Sequence, residues 1–292
     1  ACFPAASAAE AGLEAPVFAA PAILRQQRPR VAVLQLPGLN CEDESAHAVE
    51  AAGGKAEIFR WTRPAEELAA FDGYLVPGGF SYQDRVRAGA VAAKDPLLAV
   101  LSQAAARGKP ILGICNGCQV LVEAGLAPGR EPGGVELALG PNRVPGRQGY
   151  YSRWVVLELW PGCRSPFLTG LPMSLPMPMA HAEGRFTHED PGFFDRLAGE
   201  GLIALRYAGA GSDGQGPGNP NGALLGAAAL TNPAGNMLAI MPHPERAAIL
   251  LQVPEDLPHP WGARRRAAAG DARALAGPGP GHGLLRRLVE LC

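Results

Sequence analysis

The first half of the chain alternates short apolar runs with stretches of helical periodicity. The predicted strands are 31–36, 56–61, 73–76 and 109–112, and the predicted helices are 42–52, 95–107 and 118–126. Glycine or proline turns separate many of these elements. Strands and helices that alternate at such lengths pair in parallel with right-handed crossovers. This half is therefore predicted to be a doubly wound α/β sheet, whose ligands bind beyond the carboxyl ends of the strands.

The second half is richer in strand patterns. The predicted strands are 153–160, 202–207, 223–230 and 237–241, and a last helix is predicted at 284–291. A tight turn at 232–235 joins the final two strands, which predicts antiparallel pairing. The predicted fold is thus α/β, a mostly parallel sheet with helices on both faces and an added antiparallel β portion.

Three segments fall outside this pattern. Residues 1–29 are rich in Ala and Pro and are expected to form a poorly ordered tail, whereas 30–292 are expected to form one domain. The glycine-rich loop 209–221 lacks a phosphate-loop lysine, so flexibility is its expected property. The segment 254–283 is interpreted as an insertion. Its run Arg264-Arg265-Arg266 is read as a solvated face first and a partner contact second.

Composition narrows the possible functions. The 292 residues are 47% hydrophobic, enough for a full core, and the net charge of −1 gives no electrostatic case for nucleic acid. The sequence has no apolar run of the roughly 18 residues that a membrane helix needs. Six scattered cysteines do not resemble a disulfide framework, so a cytoplasmic location is expected.

The stretch GICNGCQ, residues 113–119, is the strongest chemical signal. Cys115 follows a buried strand and precedes a helix, and Gly113 and Gly117 flank it with the spacing of a nucleophile elbow. Free N–H groups at a helix start favour a thiolate. Cys115 is therefore the candidate nucleophile. Two alternatives remain: Cys115 and Cys118 form a C-x-x-C pair that suits a redox site, and a buried structural cysteine is the simplest reading.

The segment His243-Pro244-Glu245 supplies the partners that a thiol nucleophile needs. It follows an apolar strand, and in extended backbone its imidazole and carboxylate would project to the same side. His243 is the candidate base and Glu245 its orienter. His47, His188, His259 and His282 are read as ordinary surface histidines.

Donors for a developing oxyanion are also present. Gly78-Gly79 follows the third strand, and the N–H of Asn116 comes directly after the nucleophile. No metal-ligand motif accompanies them, so no metal site is predicted. These groups specify acyl transfer through a thioester, which leaves proteases, amidases and thioesterases open.

At this point the motifs resemble a known family, the class I (triad) glutamine amidotransferases. GICNGCQ and MPHPER are its two signatures, and GGFSY, RAGA, AHAEGR, NPNG and HPERA resemble the glutaminase subunits of phosphoribosylformylglycinamidine synthase in purine biosynthesis. The resemblance covers about residues 30–247 and implies a flavodoxin-like fold. The family pattern has Thr at position 39, Gly at 83 and 182, and an aromatic residue at 118. Here these are Leu39, Gln83, Ala182 and Cys118.

By that resemblance Cys115 attacks the side-chain amide of L-glutamine, and Gly79 and Asn116 stabilise the oxyanion. Phe80, Gln119 and His181 are implied as further parts of the glutamine pocket. Ammonia would pass to a large synthetase subunit that uses ATP and Mg²⁺, with a small bridging subunit between them. This chain would carry no cofactor of its own. Alternatives are the amidotransferase end of a fused single-chain synthetase, and a non-catalytic binding or redox protein on the same scaffold.

Overall fold

A nine-stranded sheet forms the centre of the protein. The computed structural model describes residues 28–131, 133–143, 149–190, 192–210 and 218–292. The strands are β1 Arg30–Gln35, β2 Lys55–Arg60, β3 Gly73–Val76, β4 Ile111–Ile114, β5 Ala138–Gly140, β6 Tyr151–Leu159, β7 Ser174–His181, β8 Arg185–Thr187, β9 Ile203–Tyr207, β10 Ala227–Thr231 and β11 Met237–Ile240. The order in the main sheet is β2-β1-β3-β4-β11-β10-β9-β6-β7, while β5 and β8 form a separate pair.

The parallel half of the sheet confirms the predicted doubly wound fold. Strands β2, β1, β3, β4 and β11 pair in parallel, in the flavodoxin-like order. Every residue of β3, β4 and β11 is buried. Strands covered on both faces are apolar along their whole length, so short continuous apolar runs predicted all three. The limits agree within one residue for β3 and β11, whereas β4 begins and ends two residues later than the predicted strand 109–112. The carboxyl ends of these strands meet at one edge.

The antiparallel half extends the sheet from β11 through β10, β9 and β6 to β7. Sequence patterns did not predict β7, because its prolines 176 and 178 weaken any strand signal. A proline has no N–H to donate, so it is tolerated in an edge strand. Strand β7 occupies that edge position, next to β6 alone.

The helices lie within one to three residues of most of their predicted limits. They are α1 Glu42–Ala51, α2 Pro96–Ala106, α3 Asn116–Glu123, α4 Phe193–Gly199, α5 Pro260–Ala267, α6 Ala272–Leu275 and α7 His282–Leu291. Helix α2 begins as helix-capping rules expect: the Asp95 side chain accepts from the N–H of Leu97 at 3.0 Å, and proline takes the first position. Helix α4 was not predicted. Its apolar residues Phe193, Phe194 and Leu197 form too short a pattern.

The segment predicted as an insertion packs with residues just before it around a small second core. Helices α5 and α6 pack around the buried Trp261, together with Leu250, Val253 and Leu257. The arginine run covers this core: the Arg264 guanidinium lies 4.8 Å from the Trp261 ring centre. Arg265, only 14% exposed, pairs with Glu255 at 3.1 Å. The expectation of a solvated face is therefore wrong for Arg265, and Arg264 is only partly exposed.

Part of the predicted tail lies outside the described residues, as do most of the loop 209–221 and residues 144–148. Arg28, at the end of that tail, donates to the carbonyl of Gly53 and to the Glu50 carboxylate, both near 3 Å. None of the helices in the described ranges is long and apolar enough to cross a membrane.

Candidate active site

Four segments converge at the carboxyl edge of the parallel strands. Cys41 follows β1, Gly78 follows β3, Cys115 follows β4 and His243 follows β11. A Cβ on Gly78 would lie 3.0 Å from His243 Cε1, 3.1 Å from Cys41 Sγ and 3.6 Å from Cys115 Cβ. Gly78 therefore lines the site between these three side chains. Its lack of a side chain leaves room for the two thiols and the imidazole.

Cys115 sits on the predicted elbow between β4 and α3. Its φ of 51° and ψ of −106° are strained for a residue with a side chain. Gly117 makes this turn possible, because a Cβ there would lie 1.9 Å from the carbonyl oxygen of Val76. The Cys115 thiol is buried and lies 3.6 Å from the carbonyl oxygen of Ala180 in β7. Asn116 begins helix α3, so its N–H has no acceptor within the helix.

His243 and Glu245 form the predicted pair, in a different backbone conformation. His243 is extended, but Pro244–Ala247 form a 3₁₀ turn, so the expectation of an extended His-Pro-Glu segment is wrong. The turn still brings His243 Nδ1 within 2.5 Å of Glu245 Oε1, and both side chains are buried. The N–H of His243 donates to the carbonyl of Pro178 at 2.8 Å, which fixes the backbone against β7.

The electrostatics of this pair suit a base that forms an imidazolium. Burial by itself lowers the pKa of His243, but the charges of Glu245 and of a Cys115 thiolate outweigh it and raise the pKa. Among the described residues, His243 Nε2 has no hydrogen-bond partner of good geometry. His243 therefore hydrogen-bonds to Glu245 through Nδ1, and its Nε2 is left to exchange protons with the nucleophile and the substrate.

Cys118 lies one helical turn beyond Cys115 and is fully buried. Both cysteines are free thiols. Burial raises the pKa of Cys118 well above its ordinary value, and the charge at Cys115 adds to this effect. A thiol that resists ionisation and has no exposed surface is a poor redox partner. Cys118 is a packing residue where the family commonly has an aromatic side chain.

The two predicted oxyanion donors follow residues of the site along the chain: Asn116 comes directly after Cys115, and Gly79 directly after Gly78. Gly79 has a φ of 148°, a conformation that favours glycine. The Asn116 side chain accepts from the N–H of Ser81 at 2.9 Å and donates to Gln119 Oε1 at 2.8 Å. Gln119 Nε2 in turn donates to the carbonyl of Glu183 at 2.5 Å. The Gln119 side chain is thus held in a buried network, while its predicted contact with glutamine stays a prediction.

His181 and Phe80 differ in burial. His181 is 3% exposed, and burial, followed by the charge of His243, lowers its pKa to about 3. Neither of its ring nitrogens has a hydrogen-bond partner among the described residues. Phe80 is half exposed, with its ring centre 6.4 Å from that of Tyr150. Contact of either side chain with glutamine stays a prediction. His282, interpreted as a surface histidine, is in fact buried.

Sequence patterns did not indicate three further groups beside the triad. Arg246 donates to Glu44 Oε1 at 2.7 Å and to Cys41 Sγ at 3.1 Å, and its Nε lies 3.9 Å from Glu245 Oε1. Arg246 and Cys41 are 205 residues apart in the chain. No local motif joins them. The one cue in the sequence was the position of Cys41 between the predicted strand 31–36 and the predicted helix 42–52.

The segment after Gly79 has an unusual backbone. Tyr82, Gln83, Asp84 and Val86 all have φ between 51° and 72°. Gln83 stands where the family pattern has glycine, so the left-handed backbone persists without the residue that favours it. Arg87 anchors this segment to α3 through a two-pronged ion pair with Glu123, at 2.5 and 2.6 Å.

Comparison with known proteins places this site in a class. The model of the CobB/CobQ-like glutamine amidotransferase domain matches residues 28–266. The parallel sheet, the cysteine elbow and this match define the protein as a glutamine amidotransferase.

The relatives narrow the class further. PurQ subunits of phosphoribosylformylglycinamidine synthase from Methanothrix thermoacetophila and Thermus thermophilus are 45% and 40% identical. Those alignments span 78% and 75% of this chain and 90% and 89% of the relatives. A chain in the PurLQS structure from Thermotoga maritima matches with a TM-score of 0.65 and 27% identity, over 90% of this chain and 99% of that one. The chain belongs to the PurQ family of phosphoribosylformylglycinamidine synthase subunits.

Proposed function

We propose that the chain hydrolyses L-glutamine as the amidotransferase subunit of a phosphoribosylformylglycinamidine synthase, in purine biosynthesis. The observation that carries this proposal is the buried set of Cys115, His243 and Glu245 at the edge of the sheet, in a chain of the PurQ family. A thiol at an elbow with a His-Glu pair is the arrangement for covalent acyl transfer.

The first half of the reaction forms a thioester. His243 Nε2 takes the thiol proton of Cys115, and the thiolate attacks the side-chain amide carbon of glutamine. The N–H groups of Gly79 and Asn116 donate to the oxygen that becomes negative. As the tetrahedral species collapses, the C–N bond breaks and His243 returns the proton to the leaving nitrogen, which departs as ammonia. Glu245 stabilises the imidazolium during these transfers.

The second half regenerates the thiol. Water attacks the glutamyl thioester while His243 Nε2 takes its proton, and the C–S bond breaks as glutamate leaves. The same proton then returns to Cys115. Arg246 and Glu44 take no part in these proton transfers: Arg246 lies 3.9 Å from Glu245 Oε1, and Glu44 pairs with Arg246.

In this proposal a partner subunit uses the ammonia that the chain releases. The relatives are named as subunits, and the Thermotoga maritima structure is of PurLQS. We therefore place a large synthetase subunit, which uses ATP and Mg²⁺, and a small bridging subunit beside this chain. A cytoplasmic location is part of the same proposal. The large subunit would consume the ammonia to convert formylglycinamide ribonucleotide to the amidine.

Reconstitution tests this function directly. Ammonia release and amidine formation would be measured with glutamine for the wild-type chain, Cys115→Ala and, as the matched control, Cys118→Ala, each with the other subunits. Cys115→Ala is expected to abolish both with glutamine, yet to support amidine formation when ammonium chloride replaces it. Cys118→Ala should retain most of the activity. Unchanged ammonia release by Cys115→Ala would refute the mechanism.

A further inference from the structure

A second thiol lies against the triad and takes no part in the proposed reaction. Cys41 is 2% exposed and lies directly before helix α1, at the end of the segment that joins β1 to α1. Its Sγ, a ring nitrogen of His243 and a carboxylate oxygen of Glu245 all lie within 4.8 Å of one another. These three residues come from two distant parts of the chain, so no spacing motif revealed them.

The three groups form a donor set that favours one kind of ion. Thiolate, imidazole and carboxylate are the ligands that Zn²⁺ takes, at about 2.3 Å for sulfur and about 2.0 to 2.2 Å for nitrogen and oxygen. Glu245 contacts the Nδ1 side of His243, so an ion held by both residues lies on Nδ1. We propose that Cys41, His243 and Glu245 form an inhibitory site for Zn²⁺ on the side of the imidazole that faces Glu245.

Binding of the ion requires the ligand atoms, now within 4.8 Å of one another, to reach tetrahedral separations, which are about 3.6 Å between sulfur and nitrogen. Tetrahedral coordination separates nitrogen and oxygen ligands by about 3.3 Å, so Nδ1 and Oε1, now 2.5 Å apart, must part by about 0.8 Å. Glu245 Oε2 is buried and has no hydrogen-bond partner among the described residues, so it is a second available ligand atom. Water completes a fourth position in zinc sites with three protein ligands.

Arg246 is the group that opposes the ion. Its guanidinium donates to Cys41 Sγ at 3.1 Å, and its positive charge repels a cation there. The side chain is 38% exposed, as is that of its partner Glu44. Arg246 can therefore turn outward into solvent, which removes its positive charge from Cys41.

The consequence for catalysis follows from the tautomers of imidazole. A neutral ring carries one proton, so an ion on Nδ1 forces that proton onto Nε2. Nε2 then cannot accept the proton of Cys115, although glutamine still has access to its pocket. Zinc bound in this way lowers kcat and leaves KM for glutamine unchanged. An ion that bridged Cys115 and Nε2 would compete with glutamine instead.

Cobalt spectroscopy tests the ligands without using activity. Co²⁺ added to the full-length Cys115→Ala chain is expected to give one sulfur-to-cobalt charge-transfer band. The band should disappear in Cys115→Ala/Cys41→Ser and persist in Cys115→Ala/Cys163→Ser. A band that survives the loss of Cys41, or the absence of any band in the Cys115→Ala chain, would overturn the site.

Inhibition gives the second arm and rests on the proposed function. In the reconstituted complex, Zn²⁺ is expected to inhibit glutamine hydrolysis without competing with glutamine. Loss of a metal's supporting partners typically costs 10- to 100-fold in affinity, so Cys41→Ser should weaken inhibition at least tenfold. Arg246→Gln should strengthen it, a result that does not depend on folding of the Cys41 variant. Inhibition that is competitive, or equal in all three chains, would contradict the proposal.

An inactive wild-type complex would instead count against the proposed function. In that case the cobalt result still decides whether the site exists.

Discussion

Replacement of Glu245 by Gln isolates the part of catalysis that depends on a buried charge. The carboxylate is 1% exposed and lies 2.5 Å from His243 Nδ1, and it is the largest influence that raises the pKa of the imidazole against the effect of burial. Gln keeps the size of the side chain and removes the charge. The imidazolium that forms while Cys115 attacks then loses its counter-ion.

The expected loss follows from the distance. Two unit charges whose centres are about 4 Å apart interact by about 4 kcal/mol at an effective dielectric constant of about 20. Each 1.36 kcal/mol of transition-state stabilisation is a tenfold change in rate, so kcat should fall about 10³-fold. KM for glutamine should change less than about threefold, because Glu245 contacts His243 and no predicted substrate group.

The assay is ammonia release from glutamine by the reconstituted complex, with the unfolding midpoint of each variant as the check on folding. The matched control is Glu44→Gln, which removes a carboxylate that binds Arg246 and is 38% exposed. We expect the control to lose less than about threefold. A folded Glu245→Gln variant whose kcat stays within tenfold of wild type would refute the assigned function of the buried charge.

Three further predictions concern residues in and around the site. Gly78→Ala places a Cβ 3.0 Å from His243 Cε1, so kcat/KM of the folded variant should fall about tenfold or more. Unchanged kinetics would contradict this packing. The pKa of His181 is lowered to about 3, so below about pH 6.5 the unfolded chain binds a proton that the native one does not. This residue should therefore lower the free energy of unfolding by about 2 kcal/mol at pH 5. In urea titrations, the free energy of unfolding of His181→Asn should depend less steeply on pH. Equal pH dependence in the two chains would exclude this effect of His181. Arg87→Ala leaves the carboxylate of Glu123, which is 6% exposed, without its ion pair. The free energy of unfolding in urea should fall by about 1 to 3 kcal/mol. In the Glu123→Gln background the same substitution should lower it much less.

Local patterns were sufficient for the parts of the fold that are uniformly buried. β4 and β11 are apolar along their length because both faces are covered, and they stand beside each other below Cys115 and His243. The prediction failed at β7, where the edge position allows prolines that a central strand would exclude. Edge position is a property of the whole sheet, so the local sequence does not carry it.

The residues of the candidate site also fall into those that local motifs predicted and those that they did not. Cys115 and the His243-Glu245 pair were predictable because each sits in a short motif with its own chemical logic. Cys41 and Arg246 were not predictable, because their contact joins the segment after β1 to the turn after β11, although β3 and β4 lie between these two strands in the sheet. Gln83 shows a further limit, because its φ of 60° lies in the left-handed region that favours glycine, yet the residue type gives no sign of that conformation.

The central claim is that Cys115 is the nucleophile toward glutamine. Its most direct test is to incubate the full chain with a glutamine-analogue electrophile and map the adduct by peptide mass spectrometry. One adduct on Cys115 is the predicted result, with none in Cys115→Ala. An adduct on Cys118 or Cys41 in the wild-type chain would contradict the account.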